Sequence, residues 1–390
     1  MVAHTRPRNR RQLIIQAAAR LFCERGYHNV GLSDIAAAVD ISAPALYRHF
    51  RNKEDLLLHA VLDSFDEFED AVAAAPALDA SLQALASVAV RRRDFGLLWQ
   101  RETRNLPPAL RDEALRRFRR TVARLASLVR HSRAELSAAD DDLLAWSVCA
   151  VLASPSHRST RTDPVSLEPV IINMARAVTA APIDATSGRT GVRRPKGDRP
   201  ASGVRLASRR EALVTVATGL FGQRGFHEIS VDEIGQAVGI AGPSVYKHFA
   251  TKSDLLYAAL DRGAQSLQLL LTSTLNGAAG PVEALDALLG SYVEFTLTHT
   301  SLVTALVTEV IHLPPEQQST LRRLQHDYVT EWEHLLRAAR PGLDAGTAAL
   351  LTRAALGVVN DVAPIRHLRG RDRFDADLAS IGRAVLYTTI

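Results

Sequence analysis

The chain is poor in cysteine: two in 390 residues, Cys23 and Cys149, each in apolar surroundings and without a CxxC spacing. That argues against a disulfide framework and a cysteine-built zinc site, and fits buried thiols in a reducing compartment. Long hydrophobic runs are missing too. No stretch approaches the roughly 20 unbroken apolar residues that a membrane span needs. Met1 to Arg11 is basic but passes straight into an amphipathic pattern, without the apolar stretch and small-residue cleavage site of an export signal. A cytoplasmic protein with no membrane partner is therefore expected. Catalytic signatures are absent as well: there is no GxSxG elbow, Walker glycine loop, HExxH or GxGxxG. His227-Glu228 opens like a zinc motif, but Val231 stands where the second histidine belongs. The histidines His131, His157, His299, His312, His326 and His367 show no ligand spacing. No enzyme, no cofactor and no metal centre are expected.

What is present is length, positive charge in particular places, and repetition. A chain of 390 residues has room for two or more domains with real cores. The formal net charge is +5. Residues 1–60 hold nine Lys/Arg against five Asp/Glu, and residues 182–212 hold eight against three. Positive charge thus gathers just before two copies of one motif, where phosphates could meet it. Laid over Arg210–Leu256 without a gap, Arg11–Leu57 is identical at 19 of 47 positions. The shared residues include Leu21/Leu220, Phe22/Phe221, Gly26/Gly225, Ile35/Ile234, Pro44/Pro243, Tyr47/Tyr246, His49/His248, Phe50/Phe249 and Lys53/Lys252. The offset there is 199 residues. A fainter echo follows at offset 207, where Glu102 and Leu106-Pro107-Pro108 align with Glu309 and Leu313-Pro314-Pro315. The chain reads as a tandem duplication. Between the units, Pro182 to Ser208 carries Ser187-Gly188, Arg194-Pro195 and Gly197-Asp198-Arg199-Pro200 and offers little to bury, which predicts a flexible linker.

Each repeat has the pattern of three helices with a tight turn. Leu13, Ala17, Leu21 and Phe22 recur at helical spacing, and Gly26 stops that helix. A second helix begins near Gly31 and buries Leu32, Ile35, Ala36 and Val39; its counterpart opens with the capping box Ser230-Val231-Asp232-Glu233. The turn Val39-Asp40-Ile41, or Val238-Gly239-Ile240, calls for positive φ, which glycine accepts and Asp40 accepts less well. A short third helix follows over 43–50, with Ser42 as N-cap and Pro44 in its first turn. Leu46 and Phe50 point inward, leaving Ala45, Tyr47, Arg48 and His49 outward. A short helix held by a fixed turn suits a DNA major groove, with the helix N-terminus and nearby cations on phosphates.

Leu21-Phe22-Cys23-Glu24-Arg25-Gly26-Tyr27, Asp34-Ile35-Ala36 and Ser42-Ala43-Pro44-Ala45-Leu46-Tyr47-Arg48-His49-Phe50-Arg51-Asn52-Lys53, with their counterparts in repeat 2, resemble the TetR/AcrR family of bacterial regulators. The resemblance implies an all-α fold: a tandem duplication of TetR-like units, each with a helix-turn-helix domain and a helical ligand and dimerisation domain. The boundaries expected are 1–55, 56–182, a linker over 183–208, 209–254 and 255–390. It also implies that Tyr47, His49 and Lys53, with Tyr246, His248 and Lys252, contact phosphates of double-stranded operator DNA. Pro44, Ala45 and Arg48, with Pro243, Ser244 and Lys247, would lie in the groove, Arg48 and Lys247 reaching a guanine edge or a phosphate. A usual member carries one unit and binds a palindrome as a homodimer. Here the recognition helices differ, Ser42-Ala43-Pro44-Ala45 against Ala241-Gly242-Pro243-Ser244, which suggests an intramolecular pseudo-dimer on an asymmetric operator; a homodimer of four modules is the alternative. A linker of about 25 residues spans up to roughly 80 Å when extended.

Downstream, helices are expected around 79–105, 109–133, 140–153 and 166–180, and around 282–310, 316–338, 344–360 and 374–387. Phe95, Trp99, Phe118, Trp146, Phe295, Tyr328 and Trp332 are candidates to line ligand cavities or simply to pack the core, with Glu102 and Glu309 beside them. Arg91-Arg92-Arg93 fits a ligand's anionic end or a solvated helix face. Trp99-x-x-Glu102 with Asn105-Leu106-Pro107-Pro108 is similar to segments of actinobacterial family members that sense fatty-acyl or sterol-derived ligands. That similarity implies a small apolar effector, lipid or acyl-CoA-like, and a ligand-responsive repressor; an activator of the same fold and an architectural DNA-binding protein are the alternatives.

Overall fold

A computed structural model of the chain describes residues 10–156, 164–183 and 207–390. The expected linker falls almost wholly outside the described residues, as does His157. Among the described residues the regular structure is all helical. The first unit runs α1 (Arg10–Arg25), α2 (Leu32–Ala38), α3 (Ala43–Leu46), α4 (Lys53–Ala74), α5 (Leu78–Arg91), α6 (Phe95–Leu97), α7 (Pro108–Ser132), α8 (Ala138–Ala153) and α9 (Pro164–Ala180). The second repeats it with α10 (Arg209–Arg224), α11 (Val231–Val238), α12 (Gly242–Val245), α13 (Lys252–Leu275), α14 (Pro281–Thr298), α15 (Thr300–Thr308), α16 (Pro315–Ala339), α17 (Ala345–Val362) and α18 (Phe374–Leu386).

Two expected helices are broken. Over 79–105 the chain leaves α5 at Arg92, at φ −104° and ψ 59°; over 282–310 it leaves α14 at His299, at φ −119° and ψ 42°. The cause at Arg92 is visible: its guanidinium is drawn to the Asp63 carbonyl (2.8 Å), Glu67 (3.1 Å) and Asp94 (3.3 Å). The arginine triplet is therefore neither a simple solvated face nor a ligand clamp, since Arg91 also bonds Glu67 and Arg93 turns back to the Val90 carbonyl. Past α6 the backbone adds a π-helical turn, Leu98–Glu102, then a 3-10 turn, Thr103–Asn105; the second unit has only a 3-10 turn, Val310–His312.

The 207-residue offset glimpsed at the proline pairs extends to the end of the chain. Pro107 and Pro314 are N-caps of α7 and α16, each 25 residues long. Ser137 and Asp344 cap α8 and α17. Arg133 donates to the carbonyls of Thr179 (3.0 Å) and Ala181 (2.9 Å), and Arg340 donates to those of Leu386 (2.7 Å) and Thr388 (2.8 Å). Each pins the end of its unit's last helix, where unsatisfied carbonyls favour a cation.

The two units pack through α8 and α9 against α17 and α18. From Leu143 onward α8 is buried on nearly all sides, as a stretch apolar all round should be. Across that contact Arg371 pairs with Asp140 while also binding Asp377 (2.9 Å), and His367 Nε2 lies 2.7 Å from Asp142. The heads join this body differently. The core of the first, built on Ile14, Phe22, Ile35, Leu46 and Phe50, forms a cluster of its own, whereas Phe221, Ile234, Val245 and Phe249 are continuous with the main core. At Gly222, where the first unit has Cys23, a Cβ would strike the Ser301 backbone, so glycine lets α10 lie directly against α15.

Candidate nucleic-acid interface

In both heads α1 or α10 supports the turn and the short helix above it. Ile14, Ile15, Ala18 and Phe22 are buried, while Leu13, expected on that face, is 40% exposed because the buried stripe runs one residue further round. Asp40 adopts φ 54° and Gly239 φ 75°, the positive values the turn requires. Below it, Gly31 N–H donates to Asp34 (2.7 Å), half a capping box, whereas Ser230 and Glu233 complete both halves. Arg10 and Arg209 donate to the carbonyls of Val39 and Val238 (3.1 and 3.0 Å), and Arg11 and Arg210 lie over the rings of Phe50 and Phe249 at 4.9 and 4.4 Å. These four cations lock the third helix to its base.

That helix is regular only over Ala43–Leu46 and Gly242–Val245, shorter than the 43–50 expected, and continues as hydrogen-bonded turns through His49 N–H to the Leu46 carbonyl (2.9 Å) and His248 N–H to Val245 (2.9 Å). Leu46, Phe50, Val245 and Phe249 are buried. Tyr47 and Tyr246 are 58% and 54% exposed. Arg48, His49, Lys247 and His248 are exposed beside them, together with Pro44 and Pro243. Neither Arg48 nor Lys247 has an ion-pair partner among the described residues. Ala45 and Ser244 are half-buried, and Ser42 occupies the N-cap position with its side chain exposed and making no capping bond.

Three of the expected contact positions also have packing duties. Gly242 is buried, and a Cβ there would collide with Asp232; the first unit has the shorter Ser33 and tolerates the half-buried Ala43. Gly242 therefore serves packing and presents no side chain. Lys53 and Lys252 are half-buried, their ammonium groups 4.2 and 4.3 Å from the ring centres of Tyr27 and Phe226, and burial lowers both pKa values. Each lysine also makes a cation–π contact that holds its helix against the head.

Glu102 and Glu309, both 1% exposed, line neither of the cavities that hold Trp99 with Phe118 and Tyr328 with Arg353. Glu102 accepts from Tyr27 N–H (3.0 Å) and Glu309 from Phe226 N–H (2.8 Å), so each ties its head to its body. Arg101 pairs with Glu102 and donates to the carbonyls of Phe22 (2.9 Å) and Cys23 (2.8 Å); Arg104 crosses to Glu309 of the other unit. Between the heads His28 stacks on His227 at 3.8 Å, and His227 meets His312 at 3.1 Å. Burial and neighbouring cations push His227 down to about 4 and His312 down to about 3. Apart from the neighbours Arg101 and Glu102, no local sequence pattern announces these contacts, since their partners lie 75 residues and more apart.

Phe95, Trp99, Phe118 and Trp146 line a cavity of about 270 Å³ and stack on one another, with Trp99–Phe118 at 4.3 Å and Phe118–Trp146 at 5.3 Å. Tyr328 lines a second cavity of about 560 Å³; Trp332 is fully buried behind it, and Phe295 lines neither. Both cysteines are unpaired, their thiols pushed up by burial. Among the described residues no group of three or more His, Cys, Asp or Glu is placed to hold a metal, and no helix is long and apolar enough to cross a membrane.

The family model for bacterial regulatory proteins of the tetR family matches this chain twice, at residues 14–60 and 213–259, on the two heads just described. The chain belongs to the TetR family, with two units in tandem. A model for the tetracyclin repressor-like C-terminal domain also matches residues 278–364. The HTH-type transcriptional activator FasR of Mycolicibacterium smegmatis is 27% identical over 199 residues, which is 50% of this chain and 90% of that protein. The HTH-type transcriptional regulator TcmR of Streptomyces glaucescens is 30% identical over 125 residues, 32% of this chain and 54% of its own. Among solved structures, the TetR-family regulator PfmR from Thermus thermophilus is similar at 20% identity, over 47% of this chain and 99% of that one, with a TM-score of 0.41. Like its TetR-family relatives, this chain is a DNA-binding transcriptional regulator.

Proposed function

We propose that the chain is a ligand-responsive repressor whose two heads, residues 1–55 and 209–254, read the two halves of one asymmetric operator as an intramolecular pseudo-dimer. The helical domains 56–182 and 255–390 take the effector side of the task, joined through residues 183–208. The observation that carries this reading is the pair of exposed triplets Tyr47-Arg48-His49 and Tyr246-Lys247-His248, each raised on a buried base and each different at the central cation. Exposed cations and polar rings on short helices match what backbone grip and groove reading require. The helix faces that would otherwise pair two chains, α8, α9, α17 and α18, are spent within one chain. The cavities in the body support a small apolar effector, lipid or acyl-CoA-like. Activation is a second reading with one observation in its favour: FasR is named an activator.

The test is gel retardation of the chain's own upstream DNA combined with sedimentation. One chain of 42.4 kDa per operator, released when the effector is added, is the expected result. Binding only as a dimer of chains would overturn the pseudo-dimer, and a reporter gene that falls on deletion of the regulator would replace repression by activation.

A further inference from the structure

The two cavities occupy the same place in the two units. At the 207-residue offset Trp99 becomes Leu306, Phe118 becomes Gln325 and Trp146 becomes Arg353. Three rings that close the first site are thus replaced by one smaller apolar and two polar side chains, and the cavity doubles from about 270 to about 560 Å³. The larger value sits well inside the roughly 300–1,000 Å³ common for small-molecule sites.

The second cavity is also chemically unsatisfied. Arg353 is held by Glu333 through Nη2 alone (3.2 Å), and its buried Nε has no hydrogen-bond partner. The Tyr328 hydroxyl is buried without one as well. A buried donor without an acceptor is costly, more so when charged, so both groups are positioned for something that accepts. Arg322 lies exposed on the same rim. The remaining wall is largely apolar. It is completed by the other unit: Cys23 and Glu24 of α1, with Gln100 and Arg101 of the π-helical turn. Arg101 holds the carbonyl end of α1, so whatever fills this space presses on the support of the first head.

Resting on the regulatory reading above, we propose that the chain takes one effector molecule and not two, in the second unit's cavity. The effector is an amphipathic organic anion, its charged end on Arg353 and Tyr328 and its apolar body among Leu267, Leu306, Val329 and Leu356. The first unit's site is a filled structural copy. The effector of the second unit thereby acts on the head of the first.

Isothermal titration of the full chain with decanoate, and with decanol as its uncharged counterpart, tests this. One decanoate per chain is expected. Arg353→Met weakens decanoate about tenfold or more and leaves decanol unchanged, as loss of a charge-assisted bond should. Leu306→Trp and Gln325→Phe, which copy the first unit's rings, weaken both ligands, whereas Ala150→Leu in the first cavity changes neither. The paired ligands separate lost recognition from lost folding, and wild-type thermal midpoints confirm it. Two molecules per chain, no decanoate binding, equal losses for both ligands in Arg353→Met, or loss on Ala150→Leu would each overturn the proposal. Operator binding measured on the same samples is independent: decanoate bound normally by a chain that ignores DNA would refute the regulatory reading and leave the site standing.

Discussion

At Asp40 the chain places an ordinary side chain at φ 54°, the single non-glycine residue with positive φ among the described residues, where the second unit has Gly239. A left-handed conformation costs an L-residue about 1–2 kcal/mol, less for aspartate, and glycine gives part of that back in unfolded-state entropy. Asp40→Gly should therefore raise stability by about 0.5 to 1 kcal/mol, seen as a higher urea midpoint. Asp361 makes a different kind of statement. Gln100 reaches it across the unit boundary at 2.6 Å from both oxygens, and its open surface is cavity wall. Burial raises its carboxyl from 3.8 to about 7. Between those values the folded chain keeps a proton that the unfolded chain releases, so stability falls as pH rises through the window. Asp361→Asn should leave stability at pH 4 nearly unchanged and raise it at pH 8, flattening the curve of thermal midpoint against pH; parallel curves would contradict this. Both residues were visible in the sequence, but only the turn at Asp40 had a local pattern to interpret. Asp361 matters through a partner 261 positions away.

Elements were legible where periodicity and caps agreed. The proline pairs mark the starts of α7 and α16. The breaks at Arg92 and His299 were not legible, because helical spacing resumes on either side; at Arg92 the interruption goes with tertiary bonds to Asp63 and Glu67. Glu102 and Glu309 illustrate the same limit. Their sequence context suggested a cavity, yet they act as pegs between body and head. Removing one peg should loosen one head alone. Glu309→Ala leaves the Phe226 N–H without its acceptor and frees Arg104, a loss of about 1–3 kcal/mol locally. Hydrogen exchange should then accelerate across α10–α12 while α1–α3 and the α8–α17 contact keep their protection; uniform acceleration would show that the peg holds the whole fold.

On the scale of the molecule, duplication explains the architecture and divergence explains the asymmetry. The 199-residue offset was plain because the heads share side chains. The 207-residue offset beyond them survives in capping and clipping positions, Ser137/Asp344, whose likeness is geometric rather than chemical, and Arg133/Arg340, which keep both residue and role. Freed from symmetry, one head merged with the body core while the other kept a separate cluster, and one cavity closed while the other opened. A symmetric dimer of identical chains cannot divide these properties between its halves.

The most direct measurement is a footprint of the full chain on its operator, repeated with Arg48→Glu and with Lys247→Glu. The account predicts that each variant binds about ten- to a hundredfold more weakly and loses protection over a different half of the site. If both variants keep the complete footprint at wild-type affinity, the exposed helices are not what reads the DNA.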